Sequence, residues 1–177
     1  QDVLSLDGIN DRAVSSSGVY IKEPCTVIWV GRMKSTYNSL AGLHQLFDLY
    51  VSSNDVIRII YEPASGFRMN FKGSNVNSFI EYALTPVIGD YVILIGTCDM
   101  ALNTAFYVNG YLVGSSGGIG PISAAPATVY VGCQESLTLF DPSQVIGFML
   151  VDGALPSAQI KTLSRYIDQR FGLGLGV

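Results

Sequence analysis

The chain has 177 residues, a length that fits one domain with a sizeable hydrophobic core, and we predict a single domain over residues 1–177. Hydrophobic residues make up 49% of the chain and charged residues only 14%, which excludes an intrinsically disordered protein. The net charge is −4 and no Lys/Arg cluster occurs, which argues against nucleic-acid binding and against attraction to an anionic membrane.

Short apolar runs separated by glycine and proline residues recur along the whole chain. Such runs are typical of the strands of a β-sandwich or barrel, and these are rich in β-branched and aromatic residues. None approaches the ~18–20 apolar residues of a membrane helix, so no membrane insertion is expected. We predict about ten strands, with the clearest runs in chain order at 26–30, 45–51, 56–61, 67–71, 91–97, 104–108, 127–133 and 145–151.

Two turns between these runs have clear local signals. Asn109-Gly110 supplies the positive φ angles of a type I′ turn, which predicts a two-residue hairpin with Val108 opposite Tyr111 and Phe106 opposite Val113. The segment 62–66 predicts a second hairpin turn. The glycine-rich segment 114–120 is not followed by a helical pattern, so we interpret it as a flexible loop after the first hairpin.

The segment from Pro156 to Phe171 differs from the rest because its apolar residues have helical spacing. Ile160, Leu163, Ile167 and Phe171 follow one another at intervals of three or four residues. Pro156 suits a first helical turn and Gly172 a C-terminal stop. The predicted fold is therefore an all-β antiparallel sandwich with one C-terminal α-helix at about 156–171.

Several short motifs follow one another in a familiar order over residues 89–172. They are the strand 89–96 leading into Tyr107-Val108-Asn109-Gly110, then Val129–Cys133, the strand 145–155, and the terminal helix with Tyr166-Ile167 and Phe171-Gly172. This order resembles laminin G-like jelly-roll domains of the concanavalin A-like lectin/glucanase superfamily. Phe148 and Gln159 depart from the family pattern, since acidic residues are usual at both positions.

The resemblance implies a function as well as a jelly-roll fold. It implies a non-catalytic recognition module that binds glycans or a cell-surface partner, as part of a phage virion (tail, fibre or capsid-associated) or a bacterial surface protein. The expected location is then a virion, the cell surface or the extracellular space. The alternative is a purely structural virion or assembly module without a small ligand.

A glycoside hydrolase or lyase is the third alternative, and it needs paired carboxylates. The glucanases of this fold have a second acidic residue two or four positions from a glutamate. None of the four glutamates of this chain has one; they are Glu23, Glu62, Glu81 and Glu135. A pair would have to come from distant strands, with Asp99, Glu135 and Asp141 as candidates. We therefore predict no catalytic residues and no enzymatic activity.

Sugars are bound by aromatic faces together with a few polar groups. Tyr37, in a polar segment, and the residues Tyr61, Arg68 and Asn70 are the predicted ligand-binding set. No cofactor is predicted; calcium, which laminin G-like domains often bind through hard oxygen ligands, is the one metal that the resemblance implies as a candidate. Its candidate ligands are Asp48, Asp55 and Asp99, for which ordinary solvated turn residues are the alternative.

The apolar composition and the cysteines bear on assembly and environment. A mean hydropathy of +0.36 is high for a soluble monomer and indicates either a large core or apolar surface that another chain covers. We favour the second explanation and predict a homo-oligomer or a part of a larger assembly. The chain has three cysteines, Cys25, Cys98 and Cys133, and an odd number cannot all be paired in disulfides within the chain. We therefore predict buried free thiols and folding in a reducing compartment.

Overall fold

The structure, a computed structural model, describes residues 4–5, 12–15, 18–20, 22–33, 43–62, 65–83, 89–123, 125–132 and 143–177. These residues form twelve strands and one helix. In chain order they are β1 (Leu4–Ser5), β2 (Ala13–Val14), β3 (Cys25–Met33), β4 (His44–Ser52), β5 (Asp55–Glu62), β6 (Gly66–Gly73), β7 (Val76–Tyr82), β8 (Tyr91–Cys98), β9 (Thr104–Val108), β10 (Tyr111–Ser116), β11 (Thr128–Val131), β12 (Ser143–Asp152) and α1 (Ser157–Phe171).

The strands form two six-stranded antiparallel sheets, which confirms the predicted sandwich. The first sheet has the order β1-β12-β3-β8-β9-β10 and the second the order β2-β11-β4-β5-β6-β7. The chain crosses repeatedly from one sheet to the other, as in a jelly roll. Among the described strands, consecutive strands are adjacent only in the run β4 to β7 and in the run β8 to β10.

The main core lies between the two sheets and is built from alternate strand positions. On β3, Cys25, Val27 and Trp29 face this core, whereas Ile28 and Val30 face the opposite side of the sheet. Trp29, in the middle of the strand, is 0% exposed. The period-two alternation of the strands thus gives the first sheet two buried faces.

Helix α1 covers the outer face of the first sheet. Pro156 is its N-cap and Gly172 its C-cap, in the left-handed conformation with φ 62°, so the predicted helix is confirmed. Ile160 and Ile167 are buried against the side chains of β3, β8 and β9. The Tyr107 hydroxyl contacts Ser157 Oγ at 3.0 Å. No helix in the described part of the chain is both long and apolar enough to cross a membrane.

The hairpin at Asn109-Gly110 is present, but its register differs from the prediction after the first two pairs. Val108 pairs with Tyr111 as predicted, whereas Phe106 pairs with Gly114 because the register shifts between Leu112 and Gly114. Strand β10 continues to Ser116, so 114–116 belong to a strand rather than to the predicted flexible loop. A β-bulge at this point accounts for both differences.

Cys25 and Cys98 are buried free thiols that lie directly opposite each other on β3 and β8. Burial is the largest cause that raises the pKa of the Cys98 thiol to about 12, and it also raises the pKa of Cys25. The predicted thiol at Cys133 lies outside the described residues.

We expect both thiols to resist alkylation in the folded protein, because the thiolate is the reactive species. At pH 8, labelling of Cys25 and Cys98 by iodoacetamide should be at least about a hundredfold slower than in denaturant. Peptide mass spectrometry resolves the two positions. Native labelling at the rate of an ordinary free thiol would contradict the buried arrangement.

Candidate functional site

The outer face of the second sheet carries a row of side chains that crosses four strands. Asp48 on β4 pairs with Arg58 on β5, Arg58 with Asn70 on β6, and Asn70 with Phe79 on β7. None of the described elements packs on this face as α1 packs on the first sheet. Asp48 and Asn70 are 0% and 5% exposed, whereas Phe79 at the β7 end of the row is 51% exposed, so the row is most accessible near β7.

Arg68 lies on the same face as Asn70, because the two are separated by one residue on β6. Its Nη2 atom forms ion pairs with Glu62 Oε2 at 3.0 Å and with Glu81 Oε1 at 2.5 Å. Its guanidinium carbon also lies 5.7 Å from the centroid of the Phe79 ring. We call these five residues, Glu62, Arg68, Asn70, Phe79 and Glu81, the Arg68 surface.

Two buried polar atoms of the Arg68 surface have no hydrogen-bond partner. They are the Nε–H donor of Arg68 and the Oδ1 acceptor of Asn70. Buried polar groups are almost always paired, and an unpaired one costs free energy. The Arg68 surface thus combines a half-exposed aromatic ring with two polar atoms whose hydrogen-bonding capacity is unused.

The predicted ligand-binding residues are only partly brought together. Arg68 and Asn70 lie side by side on the outer face. Tyr61 lies on the opposite face of β5 and is 1% exposed, packed against the rings of His44 and Phe67, and burial raises the pKa of its hydroxyl. Tyr37 lies outside the described residues.

The predicted calcium ligands lie in separate environments. Asp48 is paired with Arg58 Nε at 3.0 Å. Asp55 accepts hydrogen bonds from Ser52 Oγ, Ser74 N and Ser123 N. The described residues include no group of three or more His, Cys, Asp or Glu that could hold a metal ion.

The third predicted calcium ligand, Asp99, lies in the exposed turn between β8 and β9. Its carboxylate accepts hydrogen bonds from the backbone of Ala101 and from both the backbone and the side chain of Asn103. The Asn103 side-chain bond is the largest cause that lowers the pKa of Asp99. Asp99 thus closes its own turn.

Phe79 and the two glutamates of the Arg68 surface were absent from the predicted site. Glu62 and Glu81 are nineteen positions apart in the sequence, and the pairing of β5, β6 and β7 brings them to the same guanidinium. The signal in the sequence that could have indicated the β6–β7 hairpin is Ser74-Asn75, which lies between Gly73 and Val76. Both residues have positive φ angles, 45° and 66°, and close a two-residue hairpin.

The fold defines the class of the protein as a lectin-like jelly-roll sandwich. No family model matches the sequence, and no curated protein matches it either. Solved structures do match it. A heptameric SAP-like pentraxin from Limulus polyphemus superposes with a TM-score of 0.71 at 15% identity, over 92% of this chain and 81% of the pentraxin.

The binding domains of botulinum neurotoxins form a second group of similar structures. The serotype D binding domain superposes with a TM-score of 0.73 at 10% identity, over 93% of this chain but only 42% of that domain. A serotype D ligand binding domain in complex with N-acetylneuraminic acid gives 0.71 at 12% identity, over 93% and 41%. At these identities the likeness shows the fold alone.

Proposed function

We propose that the chain is a non-catalytic recognition module that binds glycans of a cell-surface partner through the Arg68 surface. The observation that carries this proposal is the unpaired donor and acceptor of Arg68 and Asn70 beside the Phe79 ring. Sugars present hydroxyl groups at their edges and apolar C–H faces, which these groups complement. The sialic acid complex of a similar neurotoxin domain supports the ligand class.

The finer parts of the proposal concern kinship and location. The motif order over 89–172 supports a laminin G-like module of a phage virion or a bacterial surface protein. Such modules act outside the cell or on a particle, with other chains of the same assembly as partners. The pentraxin with the same fold is heptameric, which supports a homo-oligomer.

A glycan array probed with the whole chain tests the proposal. We expect binding to a restricted set of glycans, with Phe79→Ala and Asn70→Ala each weakening affinity about tenfold, since each removes one contact worth ~1.4 kcal/mol. Val76→Ala is the matched control. Val76 is 45% exposed on the same strand but faces the opposite side of the sheet.

The outcomes of this experiment separate the competing functions. Loss of binding in the two variants but not in the control supports the Arg68 surface. Absence of binding to every glycan would overturn the proposal. Hydrolysis of a bound oligosaccharide would contradict the proposal that the module is non-catalytic. Glu62 and Glu81, the two carboxylates that contact Arg68, would then be the first candidates for the catalytic pair.

A structural assembly module is the second candidate function, and the surface of β12 favours it. Phe148 and Met149 are 47% and 46% exposed although both are large and apolar. Together with Ile146 and Phe171 they line an apolar groove beside α1. Light scattering measures the mass of the chain in solution. A tight oligomer that Met149→Lys disrupts, in a protein that binds no glycan, would favour this function.

A further inference from the structure

We infer that the Arg68 surface selects neutral, hydroxyl-rich sugars and discriminates against acidic ones such as sialic or uronic acids. This inference rests on the proposed glycan-binding function and goes further by naming the class of sugar. It is carried by two features of the surface, namely which atoms are unpaired and how the charges around Arg68 are balanced.

The unpaired atoms require a ligand group that both donates and accepts hydrogen bonds. Asn70 Oδ1 needs a donor, whereas Arg68 Nε–H needs an acceptor. A hydroxyl group is both, so one hydroxyl or two neighbouring hydroxyls of a sugar can satisfy the two atoms. A carboxylate only accepts, so an acidic sugar that docked through its carboxylate would leave the Asn70 oxygen buried without a partner.

The charges around Arg68 also disfavour an anion. The single guanidinium is shared by Glu62 and Glu81, whose side chains are 31% and 50% exposed. Arg68, Glu62 and Glu81 together therefore carry a net charge of −1. An acidic sugar that reaches the Arg68 Nε atom must approach both carboxylates, and like charges at such distances weaken binding.

Arg58 and Lys72, the described cations on the neighbouring positions of β5 and β6, do not alter that balance. Arg58 forms an ion pair with the fully buried Asp48. Lys72 lies at the far end of β6 from Glu62, and its Nζ atom donates to the Ser53 carbonyl at 2.7 Å. No described cation of the face therefore lies beside Arg68 without a counter-charge.

Isothermal titration of the whole chain with matched sugar pairs tests this inference. The probes are oligosaccharides ending in galactose, glucose or N-acetylglucosamine, each compared with the same oligosaccharide capped by sialic or glucuronic acid. We expect the neutral member to bind at least about tenfold more tightly. Glu81→Gln keeps the side-chain shape and removes one charge, so it should reduce this preference severalfold.

Two controls keep the result interpretable. Asp90→Asn removes the same charge from an exposed residue outside the Arg68 surface and should leave the preference unchanged. Higher salt should narrow the preference of the wild-type chain, because it screens the repulsion from exposed carboxylates. Thermal melting verifies that Glu81→Gln is folded, and Glu62→Gln provides a second variant of the same kind.

Each outcome bears on a different statement. Neutral sugars bound more tightly, with a preference that Glu81→Gln weakens and Asp90→Asn does not, support the inference. Acidic members bound equally or better would overturn the inference while leaving glycan binding intact. Failure of all probes to bind would overturn the proposed function, and the inference with it.

Discussion

Gly120→Ala is expected to lower the free energy of unfolding by about 3 kcal/mol. A methyl group at this position would lie less than 3.0 Å from both the backbone oxygen of Gly73 and the Cβ of Ser74. The obstruction is backbone, so no rotation of a flexible side chain relieves it. Ile119 and Ile122 hold the segment on either side, since they are only 3% and 5% exposed.

Gly147→Ala is the matched control for this substitution. Gly147 lies in β12, and an added methyl group there would meet no other atom within 4 Å. Its unfolding free energy should change by less than about 0.5 kcal/mol. Chemical denaturation of both variants measures the difference, and equal stabilities would show that the 119–122 segment does not cross Gly73 this closely.

The elements that could be predicted from the sequence are those set by local preferences. The Asn109-Gly110 turn needs positive φ angles that few residues adopt, and the terminal helix has an apolar stripe with clear caps. The pairing of Glu62 with Gly66 agrees with the predicted turn at 62–66. The bulge at 112–114 could not be predicted, because it depends on how β10 packs in the finished sandwich.

The candidate site could be predicted only in part, because its members come from three strands. Arg68 and Asn70 share one strand face, which period-two alternation makes visible in the sequence. Tyr61 pairs with Phe67, so the hairpin register places it on the opposite face from Arg68. A one-residue change in register would reverse that assignment, and the spacing alone does not choose between the two.

The contribution of β7 was missed for a related reason. Its inward positions include Ser78, which is buried against Thr104 at 2.7 Å, while its outward positions include the half-exposed Phe79. At positions 78 and 79 the usual apolar-in, polar-out alternation of a strand is therefore inverted. The half-exposed Phe79 ring belongs to the Arg68 surface, for which we propose glycan binding.

Asp55→Ala is expected to lower the free energy of unfolding by about 2 kcal/mol. The Asp55 carboxylate is 8% exposed and joins three segments that are distant in sequence. Its Oδ1 atom accepts from Ser74 N at 3.0 Å and Ser123 N at 3.2 Å, and its Oδ2 atom from Ser52 Oγ at 3.1 Å. Alanine leaves two backbone donors without their acceptor, which costs more than a lost surface contact.

Two milder substitutions identify the cause of this loss. Asp55→Asn keeps a side-chain oxygen for the two backbone donors and should cost about half as much, whereas Ser52→Ala removes only the hydroxyl donor and should cost less than about 1 kcal/mol. Denaturation at neutral pH gives the three values. If added calcium stabilised the wild type but not Asp55→Ala, Asp55 would be a metal ligand. Because the two oxygens of Asp55 already accept three hydrogen bonds from the protein, we expect equal stability with calcium or with a chelator.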